Sequence, residues 1–194
     1  MRRVGILLYT IYTMMRNEKN WFKSAIGFFV CLLFRLLPFR TPNIEPILAM
    51  QMPFSKKYGA LAGFAFAFLS MVSYDLLTDR VGVWTLITAT VYGVLALFAN
   101  YFFQNREMSR LNYVKFAVFG TLFFDAITGL SIGPIFFGQS FMQALIGQIP
   151  FTLMHLLGNV TFALILSPIL YKYIIENKKL EFNIISNMFV LKSN

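Results

Sequence analysis

Charge, histidine and cysteine are all scarce in this chain. Only 13% of the 194 residues are Asp, Glu, Lys or Arg, about half the share of an ordinary soluble domain, which excludes a normal water-facing shell. Cys31 is the one cysteine and lies within an apolar run. It excludes an intrachain disulfide and any cysteine-built metal cluster, and reads as a small buried hydrophobe. His155 is the one histidine, and a catalytic metal wants about three protein ligands. No Gly-x-x-x-x-Gly-Lys-Ser/Thr phosphate loop, His-Glu-x-x-His or Gly-x-Ser-x-Gly occurs. ATPase and common hydrolase chemistry are therefore not expected, and neither a catalytic residue nor a cofactor nor a metal is assigned.

Apolar residues are abundant: 58% of the chain is hydrophobic and the mean hydropathy is +0.66. A water-soluble fold of this length could not hide so much apolar surface, so the fold class is an all-α integral membrane bundle of about six transmembrane helices. The expected spans are 22–37, a short second one at 44–54, then 58–77, 83–103, 113–130 and a long final helix at 141–173. Pro38 and Pro42 cannot both sit inside a continuous helix, so the first span ends there. The second run is half the usual length and must be tilted, partly re-entrant or sheltered by its neighbours. Pro150 and Pro168 are expected kink points in the last helix. One domain at 22–175 is expected, with a cytoplasmic or interfacial segment at 1–21 and a cytoplasmic tail at 176–194. The run Val4–Met15 behind Arg2 and Arg3 imitates a signal peptide without a small-residue cleavage site, so an interfacial helix or a mis-assigned start fits it better.

The net charge of +9 is a topology signal rather than a nucleic-acid footprint, because Lys and Arg lie between the apolar runs. Six spans place fourteen of the seventeen basic residues on one side, among them Lys56, Lys57, Arg106 and Arg110, and leave Arg35, Arg40 and Arg80 on the other. The positive-inside rule then makes both termini cytoplasmic. Without the short second span, Lys56 and Lys57 would fall outside.

Polar groups at membrane depth are costly and tend to face the bundle interior or a cavity. Gln148, Thr152, His155 and Asn159 recur at spacings of 4, 3 and 4 on one face of the last helix. Thr121, Asp125 and Thr128 share a face of the fifth span, and Thr85, Thr88 and Tyr92 a face of the fourth, with Trp84 at its outer end. Arg40, Asn43 and Glu45 come from the first connection, Tyr74 and Asp75 from the outer end of the third span. Each set also has a plain reading: interhelical glue of about 1 kcal/mol or less per contact, or an interfacial belt for Trp84. For Arg35 the plain reading is snorkelling to the outer interface. Together the set Arg40, Asn43, Glu45, Tyr74, Asp75, Trp84, Asp125, Gln148, His155 and Asn159 describes an outward pocket suited to a small organic solute. Gly59, Gly63 and Ala67 recur every four residues on the third span, where small side chains permit close helix approach, either to a partner protein or within the bundle.

The segment Phe34-Arg35-Leu36-Leu37-Pro38-Phe39-Arg40-Thr41-Pro42-Asn43-Ile44-Glu45-Pro46 resembles the substrate-specific S components of energy-coupling factor (ECF) transporters. The likeness continues through Gly59-Ala60-Leu61-Ala62-Gly63, Ser73-Tyr74-Asp75 and the last helix with His155 and Asn159, over about residues 22 to 175. It implies a six-helix vitamin-binding subunit that captures its solute outside and joins a transmembrane coupling subunit and two cytoplasmic ATPases. Cobalamin, riboflavin, thiamine, biotin and nucleobase-like compounds all remain open as solutes. The family's Ala-x-x-x-Ala coupling element is not matched, since Ala25 is followed four places on by Phe29; Ala25, Gly59, Gly63 and Ala67 are the candidate partner contacts.

Two other classes compete. Phe151-x-x-x-His155-x-x-x-Asn159 resembles part of the metal site of prenyl-type membrane proteases, but their paired Glu and second His are missing. A non-catalytic scaffold of the bacterial rod-shape machinery is also an apolar bundle of this size, although it would need no converging polar stripes.

Overall fold

The structure, a computed structural model, describes residues 21–38 and 44–180. Residues 1–20 of the expected N-terminal segment 1–21, residues 181–194 of the expected tail 176–194, and the candidate residues Arg40 and Asn43 lie outside the described residues. Within them the chain is helical: α1 (Trp21–Arg35), α2 (Ile47–Tyr58), α3 (Ala60–Leu77), α4 (Val83–Gln104), α5 (Arg110–Gly129), a short α6 (Ile132–Phe136) and α7 (Phe141–Leu170). A π-helical turn at Tyr171–Ile175 and a 3₁₀ turn at Lys178–Leu180 follow.

Four helical stretches among the described residues are long and apolar enough to cross a membrane: Ala60–Leu77, Val83–Gln104, Arg110–Phe136 and Phe141–Ile175. Their outward faces carry Leu61, Leu69, Leu86, Leu153 and Leu157, each more than half exposed, the surface a helix offers to lipid rather than to water. Side chains cap two of the starts. Ser109 accepts from the Asn112 N–H at 3.4 Å, and Ser140 with Gln143 forms a reciprocal capping box at the start of α7.

The short helices depart from the expected membrane length. α1 has 15 residues and α2 only 12, and the latter is about 18 Å long against a hydrocarbon core of about 30 Å. Its composition explains the outcome: from Ile47 to Phe54 α2 is apolar except for Gln51, and a stretch that is apolar all round belongs inside. Ile47, Leu48, Ala49, Met50, Met52 and Phe54 are essentially inaccessible, and so is Gln51. Of the three options for this segment, shelter by its neighbours is the one observed.

The reversal from α2 to α3 occurs at Gly59, whose φ of +95° favours glycine. Directly beyond it, the small residues of α3 are used inside the chain. A Cβ added at Gly63 would lie 1.9 Å from Ser55 Oγ and 3.0 Å from Ser55 Cα, so α2 and α3 touch backbone to backbone. Ala67 is fully buried. Gly63 and Ala67 thus pack within the bundle, one of the two uses that their spacing allows. Ala25 on α1 remains half-buried.

The contacts divide the bundle into two ends. At one, Lys56 from the end of α2 donates to the Phe103 and Gln104 carbonyls that end α4. There too, Lys23 near the start of α1 donates to the Ile175 carbonyl at 2.9 Å. At the other end lie the close of α1, the starts of α2, α4 and α7, the ends of α3 and α5, and α6.

Candidate functional site

The polar faces of α5 and α7 meet as an antiparallel zipper. Asn159 Nδ2 donates to Thr121 Oγ1 at 2.8 Å, and one turn on, His155 Nδ1 and Asp125 Oδ1 lie 2.8 Å apart. A step of four along α5 is matched by a step of four backwards along α7, as antiparallel helices with 3.6 residues per turn require. His155 and Asp125 are both about 2% exposed, so the pair is effectively sealed from water. A carboxylate against Nδ1 calls for the proton on that nitrogen. On the other side of the ring, Nε2 and the Tyr92 hydroxyl lie 3.3 Å apart, within hydrogen-bond distance. The chain Asp125–His155–Tyr92 thus links α5, α7 and α4.

This chain borders a cavity of about 350 Å³ lined by Glu45, Met71, Thr88, Tyr92, Phe124, Thr128, Gly129, Ile132, Gly133, Gln148, Phe151 and His155. The volume falls in the range of small-molecule sites. Its walls are largely aromatic. Tyr92 and Phe124 have ring centroids 4.3 Å apart, and Phe124 and Phe151 each meet the His155 ring edge to face. Gly129 makes one wall possible, because a Cβ there would lie 1.8 Å from Gln148 Oε1.

Behind Glu45, Arg35 is 3% exposed. Its Nη1 donates to the Ser70 carbonyl at 2.6 Å, its Nη2 to Glu45 Oε1 at 3.3 Å, and its guanidinium lies 4.1 Å from the Tyr74 ring centroid. Arg35 therefore does not snorkel to an interface: it ties α1, the start of α2 and α3 together behind the cavity. A planar, always-charged fork suits three such partners.

Three of the sequence candidates, Glu45, Gln148 and His155, line the cavity, while Asp125 orients His155 from behind. Tyr74 acts through Arg35, and Asn159 fastens α5 to α7 one turn deeper. Asp75 and Trp84 are elsewhere. Asp75 Oδ2 accepts from the Thr85 hydroxyl at 2.5 Å, locking α3 to α4. Trp84 is 38% exposed, packs on Phe137 and donates its indole N–H to the Arg80 carbonyl at 3.1 Å. Thr88, Tyr92 and Thr128 fit the glue reading by spacing yet line the cavity. Phe124 was unmarked among 23 phenylalanines; Phe151 was singled out only in the protease-like motif, by lying four residues before His155.

A second groove of about 400 Å³ lies between α5 and α7, walled by Leu122, Ala126, Leu145, Ile149 and Leu153 and reaching Asp125 and Gln148. Among the described residues no three His, Cys, Asp or Glu side chains converge as metal ligands. Comparison of the chain with protein-family models, with curated proteins and with solved structures finds no match.

Proposed function

We propose that this chain is the solute-capturing membrane subunit of an importer of the energy-coupling-factor type, working in a bacterial cytoplasmic membrane. In this reading α1 and α2 complete six crossings, α2 as a helix sheltered by the others, and both termini are cytoplasmic. The cavity then faces outward, away from the basic end. Energy comes from a transmembrane coupling subunit and two ATPases, and the small solute is vitamin-like.

The observation that carries the proposal is the cavity beside His155. A bundle that served only as a scaffold would gain by filling such a space, since voids weaken packing. Here it is bordered by Glu45, Gln148 and His155 together with aromatic walls, an apolar pocket with a few convergent polar groups. The resemblance of the 34–46 segment and of the last helix to S components supports the same reading. Among the vitamin-like solutes, a cavity of about 350 Å³ suits one or two rings and not a corrinoid.

Purification of the full chain in a mild detergent, followed by native mass spectrometry and analysis of released small molecules, tests the proposal. One small molecule bound at equal stoichiometry is expected. His155→Ala, which loses a buried polar contact, should lower its affinity roughly five- to hundredfold, about 1–3 kcal/mol. A wild-type chain carrying only lipid, or unchanged binding by His155→Ala, contradicts it.

A further inference from the structure

We infer that the groove between α5 and α7 holds a neutral lipophilic molecule whose hydroxyl donates a hydrogen bond to Asp125 Oδ2. This site is apart from the cavity and does not depend on the solute-capture reading above. Asp125 is in the wall of the groove and not in that of the cavity. It is 2% exposed, and its Oδ1 lies 2.8 Å from His155 Nδ1. Its Oδ2 is buried with no hydrogen-bond donor among the described residues. An ionised carboxylate keeps that oxygen an acceptor whether His155 carries one proton or two, and a buried acceptor without a donor is costly. The other polar side chains of the groove bond each other instead, Gln148 Nε2 donating to Thr152 Oγ1 at 3.2 Å.

The walls set the rest of the molecule. The groove offers about 400 Å³, and its rim residues Leu122, Ile149 and Leu153 are 49%, 58% and 63% exposed. Both helices belong to stretches long and apolar enough to cross a membrane, so the opening meets hydrocarbon rather than water. An acyl chain alone fills such a groove but brings no donor. Water is a poor substitute, because an ordered water needs about two to four polar partners and most of this wall is leucine, isoleucine and alanine. An ammonium group would bring three donors to a wall with one unpaired buried acceptor, and would lose its hydration at membrane depth. A hydroxyl brings one donor, and the apolar remainder of its molecule covers the leucines.

The test uses 4-octylphenol and its methyl ether, 4-octylanisole, which share a ring and a chain and differ in the donor. Each is titrated into the full chain in lipid nanodiscs, with binding read by native mass spectrometry and by the shift in unfolding temperature. The phenol is expected to bind about tenfold more tightly than the ether. Leu153→Trp, which fills the groove from its exposed rim, should weaken both. Asp125→Asn keeps an amide oxygen for His155 Nδ1 and puts N–H donors in place of Oδ2, so it should bring the two probes within about twofold of each other. Equal binding of phenol and ether marks an ordinary lipid-facing surface and overturns the inference, as does no binding of either. A preference for the phenol that persists in Asp125→Asn reflects the bulk of the ether's methyl, and binding untouched by Leu153→Trp puts the phenol elsewhere; each overturns it too.

Discussion

At the Lys56 end of the bundle, ammonium groups close helix ends, whereas at the His155 end side chains bond one another around a space. Lys56 satisfies the terminal carbonyls of α4, and Lys23 that of Ile175; cations at helix carboxyl ends are where charge and macrodipole agree. Phe103, Tyr113 and Phe116 fill the interior beside them. At the opposite end Arg35, Glu45, Asp125, His155 and Tyr92 reach between helices, and Glu45, His155 and Tyr92 border the cavity. Both ends leave a space of similar volume, about 360 Å³ beside Lys56, Arg106 and Tyr171 and about 350 Å³ beside His155; they differ in the lining, which at the first is helix ends and loop residues and at the second aromatic rings with polar groups bonded between helices. Substitutions should therefore act through packing at the first end and through charge at the second.

The sharpest way to break that contrast is Arg35→Ala. Removal of one partner from a buried ion pair leaves the other uncompensated, and here it also strips a donor from the Ser70 carbonyl. A loss of about 3 kcal/mol in stability is expected, measured by thermal unfolding in detergent. If Arg35→Ala unfolds like the wild type, the guanidinium does not organise the cavity end.

A smaller effect, of a different kind, is expected from Gly63→Ala. The added methyl would overlap Ser55, and overpacking of this sort costs about 1–3 kcal/mol. Variant protein that still folds at low temperature should keep its solute affinity, because Gly63 lies against Ser55 at the Lys56 end, away from the cavity beside His155. Unchanged stability would show that α2 and α3 are not in contact there, and a selective loss of binding would erase the distinction between the ends.

The long helices were legible because their apolar runs far exceed what loops allow: α3, α4 and α7 begin within two residues of the expected positions and α5 within three. Period also revealed the polar face of α7, since Gln148, Thr152, His155 and Asn159 keep helical spacing. What those residues face was not legible. The match of Asp125 to His155 depends on how far α7 slides along α5, and no local signal encodes that offset. Arg35 escaped for a similar reason, because an arginine at a helix end reads the same whether it turns outward or meets Glu45. For Gly63, small-residue spacing announces close approach but not the partner, which proved to be Ser55 of the same chain.

The most direct test of the central claim, that the cavity end is the outer, solute-binding end, is cysteine labelling in intact cells. In a Cys31→Ser background, Ile132→Cys at the cavity and Lys57→Cys at the basic end are treated with a membrane-impermeant maleimide before and after permeabilisation. The account predicts that residue 132 is labelled from outside and residue 57 only after permeabilisation. Labelling of 57 from outside, with 132 protected until the membrane is opened, would contradict it.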